Sequence, residues 1–295
     1  MAVVDISSGA LSLRASTKGG LILGFWRDGQ EGRVPLLREA PEGADALSSA
    51  CYPLAPFGNR VRDNRFTFNG KQYALTANTD WDPHYLHGEG WFSQWSLEQH
   101  EADRLAMRLR HAGGGTPYVY EAWQRFSLAD GELQMTLSVE NQGDEPLPFG
   151  LGWHPYFPMT PQTMLTAPAR KFWTEVEGWL PGEATDIPAD LDFSKPSPLP
   201  HRWVNNGFED WPGEATIAWP ERATKLSLKA EPLFRHAFLF VSDTAFDPDF
   251  ERDYFCFEPM SHLADGHNMP DLGGLRILQP GEKLSGSIWL GAQDL

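Results

Sequence analysis

Four short stretches set histidines, carboxylates, an amide and a guanidinium where this chain should be starting or ending strands. "GLGWHPYFP" carries His154 between a tryptophan and a Pro-Tyr-Phe run. "FCFEPMSHLADGHN" carries Glu258 at the end of an aromatic run. By strand alternation Glu258 shares a face with Cys256, so it is partly buried, and a buried carboxylate needs a partner or a task. A poised general base is one such task. An imidazole titrates near neutrality and suits the matching acid. The plain alternative for His154 is a core histidine with a satisfied hydrogen bond. Pro155 pushes His154 into an extended conformation, and the strand is expected to end there.

Two further stretches add polar groups. In "PFGNRVRDNRF", Asn59 and Arg60 follow Gly58. They read either as a turn with a solvated charge, or as a fixed amide and guanidinium aimed at hydroxyl oxygens. "HYLHGEGW" holds His84, His87 and Glu89, which invites a metal reading. On a strand the H-x-x-H spacing sends the two rings to opposite faces, and Gly88 and Gly90 argue against a helix. With no cysteine and no third ligand, no metal is expected. His87 is expected to face a ligand and His84 to face solvent.

The elements that must position these groups are strands. In "ELQMTLSVE", Leu133, Met135, Leu137 and Val139 alternate with polar residues, and "RLAMRLR" repeats the pattern with Leu105, Met107 and Leu109. Asn69-Gly70 and Asp130-Gly131 each sit between apolar runs, the strongest short hairpin signal. "ATKLSLKAE", "HAFLFVSD" and "KLSGSIWLGA" supply later strands. The 28 glycines and 24 prolines fit many turns and no helical bundle. The fold class is all-β, a sandwich or barrel of antiparallel sheets. The proline-rich stretch from Pro181 to Pro200 is expected to be a long surface loop within one domain covering residues 1–295.

Composition limits the function. A 295-residue chain, 41% apolar, can bury a large core. A net charge of -16 repels nucleic acid and anionic membranes, so neither is an expected partner. Cys51 and Cys256 make no disulfide framework, there is no signal peptide and no apolar run long enough to span a bilayer, so a cytoplasmic protein is expected. Twelve tryptophans serve a large core or stack on sugar faces; the count alone does not separate the two.

Taken in order, "GNR", "LHG", "WHPYF", "FEP" with "DGHN" behind it, and "LQPGE" resemble the aldose 1-epimerase (galactose mutarotase-like) family, from about Leu21 to Leu290. The resemblance implies a β-supersandwich with an open cleft for a free sugar, and interconversion of its α and β anomers without a cofactor. It implies Glu258 as the base at the anomeric hydroxyl and His154 as the acid at the ring oxygen. It implies sugar contacts from Asn59, Arg60 and His87. A small-molecule sugar is the expected partner, and the chain is expected to be a monomer or homodimer.

There is one departure. Where the family often carries a sugar-binding aspartate, "VNNGFEDWPGEATIAWPE" places Asn205, with Asp210 nearby but out of register. An amide carries no charge, so an anionic sugar is less repelled here. An epimerase of a sulfonated or phosphorylated sugar is therefore the alternative, with Arg60, Arg62, Arg65 and Lys71 as candidate anion contacts. A non-catalytic sugar-binding protein on the same scaffold is the other.

Overall fold

The two Asx-Gly dipeptides do what their chemistry predicts. Asn69-Gly70 joins the strands Arg65–Phe68 and Lys71–Ala74, and Asp130-Gly131 joins Val119–Ala129 to Glu132–Asn141. All four turn residues have positive φ, between 49° and 78°, the conformation that two-residue hairpin turns demand. The computed structural model describes residues 2–29 and 32–295. Among these residues the chain forms an eleven-stranded and a nine-stranded sheet, with three two-stranded ribbons. Neighbouring strands in both large sheets are antiparallel, as expected. No helix among the described residues is long and apolar enough to cross a membrane.

The two large sheets bury one apolar core between them. Leu133, Met135, Leu137 and Val139 from the smaller sheet are fully buried in it, as are Trp153, Phe157 and Phe255 from the larger one. Period-two alternation then sends the intervening residues of the larger sheet to its other face. There His154, Tyr156, Cys256 and Glu258 stand, with Tyr52 opposite His154 on the neighbouring strand Cys51–Leu54. A second apolar cluster, including Tyr52, Tyr156, Phe238 and Cys256, coats this face.

Two expectations need correction. The stretch from Pro181 to Pro200 is not a surface loop. The strand Leu180–Thr185 edges the larger sheet, Ser197–Pro198 pairs with Met164–Thr166, and Leu191, Phe193 and Leu199 are buried in the core. Pro181 and Pro198 sit in the end strands of the two sheets, where proline is tolerated. Nor does Pro155 end its strand. Gly152–Pro158 runs through it, because the proline φ suits extended backbone. The cost falls on pairing. The ladder with Tyr254–Met260 holds at Gly152↔Met260 and Tyr156↔Cys256 and is interrupted between them, beside His154.

Burial leaves the fold sensitive to acid. His87, His154, His236, His262 and His267 are buried, and desolvation holds each below the usual imidazole value of 6.5, to about 3 for His154 and His267 and about 4 for His236 and His262. Below pH 6.5 the unfolded chain therefore binds protons that the fold refuses. The stability these residues contribute is full above that pH and is lost as pH falls toward the folded values. Glu258, raised by burial, acts in the opposite sense, but it is one group against five. Between pH 7 and pH 5 the unfolding free energy should fall by more than about 3 kcal/mol. Urea denaturation at the two pH values measures it; an unchanged midpoint would contradict the neutral burial of these rings.

Candidate active site

The strands Gly152–Pro158, Tyr254–Met260, His236–Val241 and Val204–Glu209 are neighbours in the larger sheet. Their register carries His154 to a place opposite Glu258, and Glu258 is paired in turn with Phe238. His154 Nε2 lies 3.2 Å from Glu258 Oε1. Both side chains are buried at the floor of an open cleft of about 1020 Å³ that they help to line. Tyr52 stacks on the His154 ring with centroids 4.3 Å apart, and Tyr156 packs at 4.9 Å. In this apolar setting desolvation pushes the Glu258 carboxyl well above its ordinary value and His154 down to about 3. Both shifts favour an uncharged pair holding one proton. Glu258 Oε2 and His154 Nδ1 are buried without a hydrogen-bond partner, so the pair has unused capacity.

The wall facing this floor comes from two loops that clasp each other. Asn59 and His87 both have φ of 59°. The His87 N–H donates to the Asn59 carbonyl at 3.0 Å, and the Asn59 N–H donates to His87 Nδ1 at 2.9 Å. The second bond fixes the tautomer: Nδ1 accepts, so Nε2 carries the proton and His87 presents a donor. Desolvation, with His154 and Arg60 close by, holds His87 well below its usual value and keeps it neutral. Asn59 Oδ1 accepts from the Arg60 N–H, which leaves its amide NH2 free. Arg60 Nε donates to Asp82 Oδ2 at 2.8 Å in a buried ion pair, and Nη1 reaches the Trp179 carbonyl at 3.5 Å.

Asn205 completes the set from the Val204–Glu209 strand. Its Nδ2 donates to Glu175, and the same carboxylate accepts from Trp203 Nε1 at 3.1 Å. The amide is thereby oriented with its oxygen spare, so Asn205 offers an acceptor as a carboxylate would. The negative charge stands behind the amide, on Glu175. Asp210 does not line the cleft; it pairs with Arg235.

All six residues singled out from the sequence, Glu258, His154, Asn59, Arg60, His87 and Asn205, line this one cleft. His84 does not, and it is not solvent-facing as expected: it is buried, with Nδ1 accepting from the Asp63 N–H at 3.2 Å. Glu89 lies in a separate network with Tyr85 and Tyr120. Of the basic residues considered for an anionic substrate, Arg62 pairs with Asp265, Lys71 with Glu145 and Arg65 with Asp63, and none of these lines the cleft. The sequence reading missed Arg38, which lines the cleft and lies over the Tyr156 ring at 3.8 Å, with Nε and Nη2 donating to the Ser49 and Leu47 carbonyls. It also missed Asp82 and Glu175. Tyr156 had a signal, since it stands two residues after His154 and so shares its face; Glu175 had none.

The profile of the family described as aldose 1-epimerase matches residues 2–291. The uncharacterized Escherichia coli (strain K12) protein YphB is 45% identical over 291 residues, 98% of either chain. A crystal structure from Escherichia coli K12 at 44% identity superposes with a TM-score of 0.95 over 100% of this chain and 99% of that one. A galactose 1-epimerase from Lactobacillus acidophilus NCFM shares the fold at 15% identity, with a TM-score of 0.80 over 99% and 94%.

The Arg60–Asp82 pair generates a stability prediction. Asp82→Ala leaves a guanidinium buried without its counter-ion, and breaking a buried pair from one side costs about 3–5 kcal/mol. Urea denaturation of Asp82→Ala at pH 7 should show a loss of that order. A loss under about 1 kcal/mol would mean that Arg60 finds solvent and is not held by Asp82.

Proposed function

This chain belongs to the aldose 1-epimerase family, and we propose that it interconverts the α and β anomers of a free, uncharged sugar by acid–base ring opening. One observation carries the reading: a buried carboxyl and a buried imidazole, 3.2 Å apart on adjacent strands, at the floor of a cleft whose other polar groups are hydrogen-bonding side chains. Ring opening removes a proton from the anomeric hydroxyl and delivers one to the ring oxygen. Glu258 takes the first and His154 gives the second, while the C1–O5 bond breaks and O1 becomes the aldehyde oxygen. The aldehyde turns about the C1–C2 bond and closes with the roles reversed.

The uncharged resting pair already has the required proton count. Transfer of its one proton from Glu258 to His154 produces the carboxylate and the imidazolium together, with nothing taken from solvent. A bound sugar supplies a hydroxyl for the unpartnered Glu258 oxygen. His87 Nε2–H, the Asn59 amide and Arg60 offer donors, and Asn205 an acceptor. Glu175 behind Asn205, Arg60 paired with Asp82, and Arg62, Arg65 and Lys71 turned away from the cleft favour a neutral sugar over an anionic one. Asn205→Asp would press one carboxylate against another, so it is expected to raise KM for neutral sugars rather than improve their selection.

The test is anomer exchange followed by magnetisation-transfer NMR on freshly dissolved aldoses. Glu258→Gln and His154→Asn should each lower kcat by about 100-fold or more, which is about 2.7 kcal/mol of transition-state stabilisation. Because the pair acts as one unit, the double variant should lose far less than the product of the single losses. Folded Glu258→Gln protein with wild-type exchange would overturn Glu258 as the base, and a wild-type protein with no exchange would leave a sugar-binding protein. Exchange should also survive a strong chelator; loss restored by zinc or manganese would overturn the metal-free mechanism.

A further inference from the structure

The cleft is larger than one sugar needs. Pockets of about 300–1,000 Å³ accommodate drug-sized ligands, and a single pyranose is smaller than those. Here the volume is about 1020 Å³. The catalytic pair, Asn59, Arg60, His87 and Asn205 account for one part of it. The remainder is walled by aromatic rings gathered around Phe246. Its centroid lies 6.2 Å from Trp81, 5.7 Å from Trp179, 5.1 Å from Trp203 and 5.9 Å from Phe240.

This cluster is neither core nor loose loop. Phe246 is 40% exposed and Trp81 42%, so large ring faces remain open to solvent at the cleft. The segment that carries Phe246 is braced from within: Asp243 Oδ1 accepts from the Ala245 and Phe246 N–H groups, and Asp247 Oδ1 from the Asp249 N–H. Among the described residues no lysine or arginine forms a salt bridge with Asp243 or Asp247. Open ring faces beside carboxylate acceptors suit the C–H faces and hydroxyls of an uncharged sugar ring.

The direction is set by the sheet. Asn205 stands two strands from Glu258 and two residues along, in register with Cys256, about 12 Å away at the usual spacings. A pyranose with C1 at Glu258 therefore points its far hydroxyls toward Asn205. Trp203, held by the same Glu175 carboxylate as Asn205, begins the aromatic wall just beyond. We propose that this outer part of the cleft binds a second sugar ring, joined through the hydroxyl opposite C1, so that the preferred substrate is a reducing, 4-linked disaccharide. The proposal rests on the ring-opening reading above and names the substrate class of the same site.

The experiment compares anomer exchange of glucose, galactose and xylose with that of cellobiose, galactobiose and xylobiose, which carry the same rings at their reducing ends. Wild-type kcat/KM should be about tenfold or more higher for a disaccharide than for its monosaccharide. Phe246→Ala and Trp81→Ala should each cut the disaccharide value about tenfold and the monosaccharide value less than twofold, which also shows that the variants fold. Equal values for both sugar classes, or equal losses in the variants, would overturn the second-ring site and leave the aromatic cluster as a brace for its segment. Monosaccharide exchange reports on the ring-opening reading by itself. Absence of exchange with every sugar would overturn that reading and this one with it.

Discussion

A carboxyl and an imidazole held side by side in an apolar sheet face must share their charge problem. Either ion alone would be expensive at that depth, since burial penalises each charged form. Together they remain neutral while holding one proton, and that proton can sit on either partner. The register of two strands makes the contact, and the interrupted ladder beside Pro155 leaves the backbone open where the pair stands. Tyr52 stacked on the His154 ring keeps water from solvating the imidazole from that side. The rest of the site is built to preserve this condition while admitting a polar guest.

The surrounding polar groups are each fixed by a partner that has no need to touch the guest. His87 is oriented by the Asn59 N–H, Asn59 by the Arg60 N–H, Arg60 by Asp82, and Asn205 by Glu175. Each such bond spends one donor or acceptor and leaves a defined one for the cleft. Such preorganisation matters because a hydrogen bond to a sugar hydroxyl gains little net free energy over one to water. Side chains already locked in place lose less entropy on binding.

Much of this was legible in the sequence, and unevenly so. The hairpins at Asn69-Gly70 and Asp130-Gly131 follow from turn chemistry, and the core faces of "ELQMTLSVE" and "RLAMRLR" from period two. Alternation also placed Glu258 beside Cys256 on a buried face. Local patterns end where tertiary pairing decides. Nothing in the sequence around Glu175 shows that it meets Asn205, 30 residues later, or that Asp82 meets Arg60. His84 was misjudged because its burial depends on the Asp63 loop folding over it. Pro181–Pro200 was misjudged because proline and polar residues mark sheet edges as well as loops, and Leu191 and Phe193 were too few to show a core-facing pattern.

The shared proton is open to direct observation. Nitrogen-15 NMR of the imidazoles, with His154 assigned by comparison with His154→Asn, reports whether the ring is neutral or charged at each pH. In the sugar-free protein His154 should remain neutral from about pH 8 down to about pH 5, with no inflection near 6.5, because burial holds its value at about 3. A His154 ring that titrates near 6.5, or that is already an imidazolium at neutral pH, would contradict the uncharged one-proton pair on which the mechanism depends.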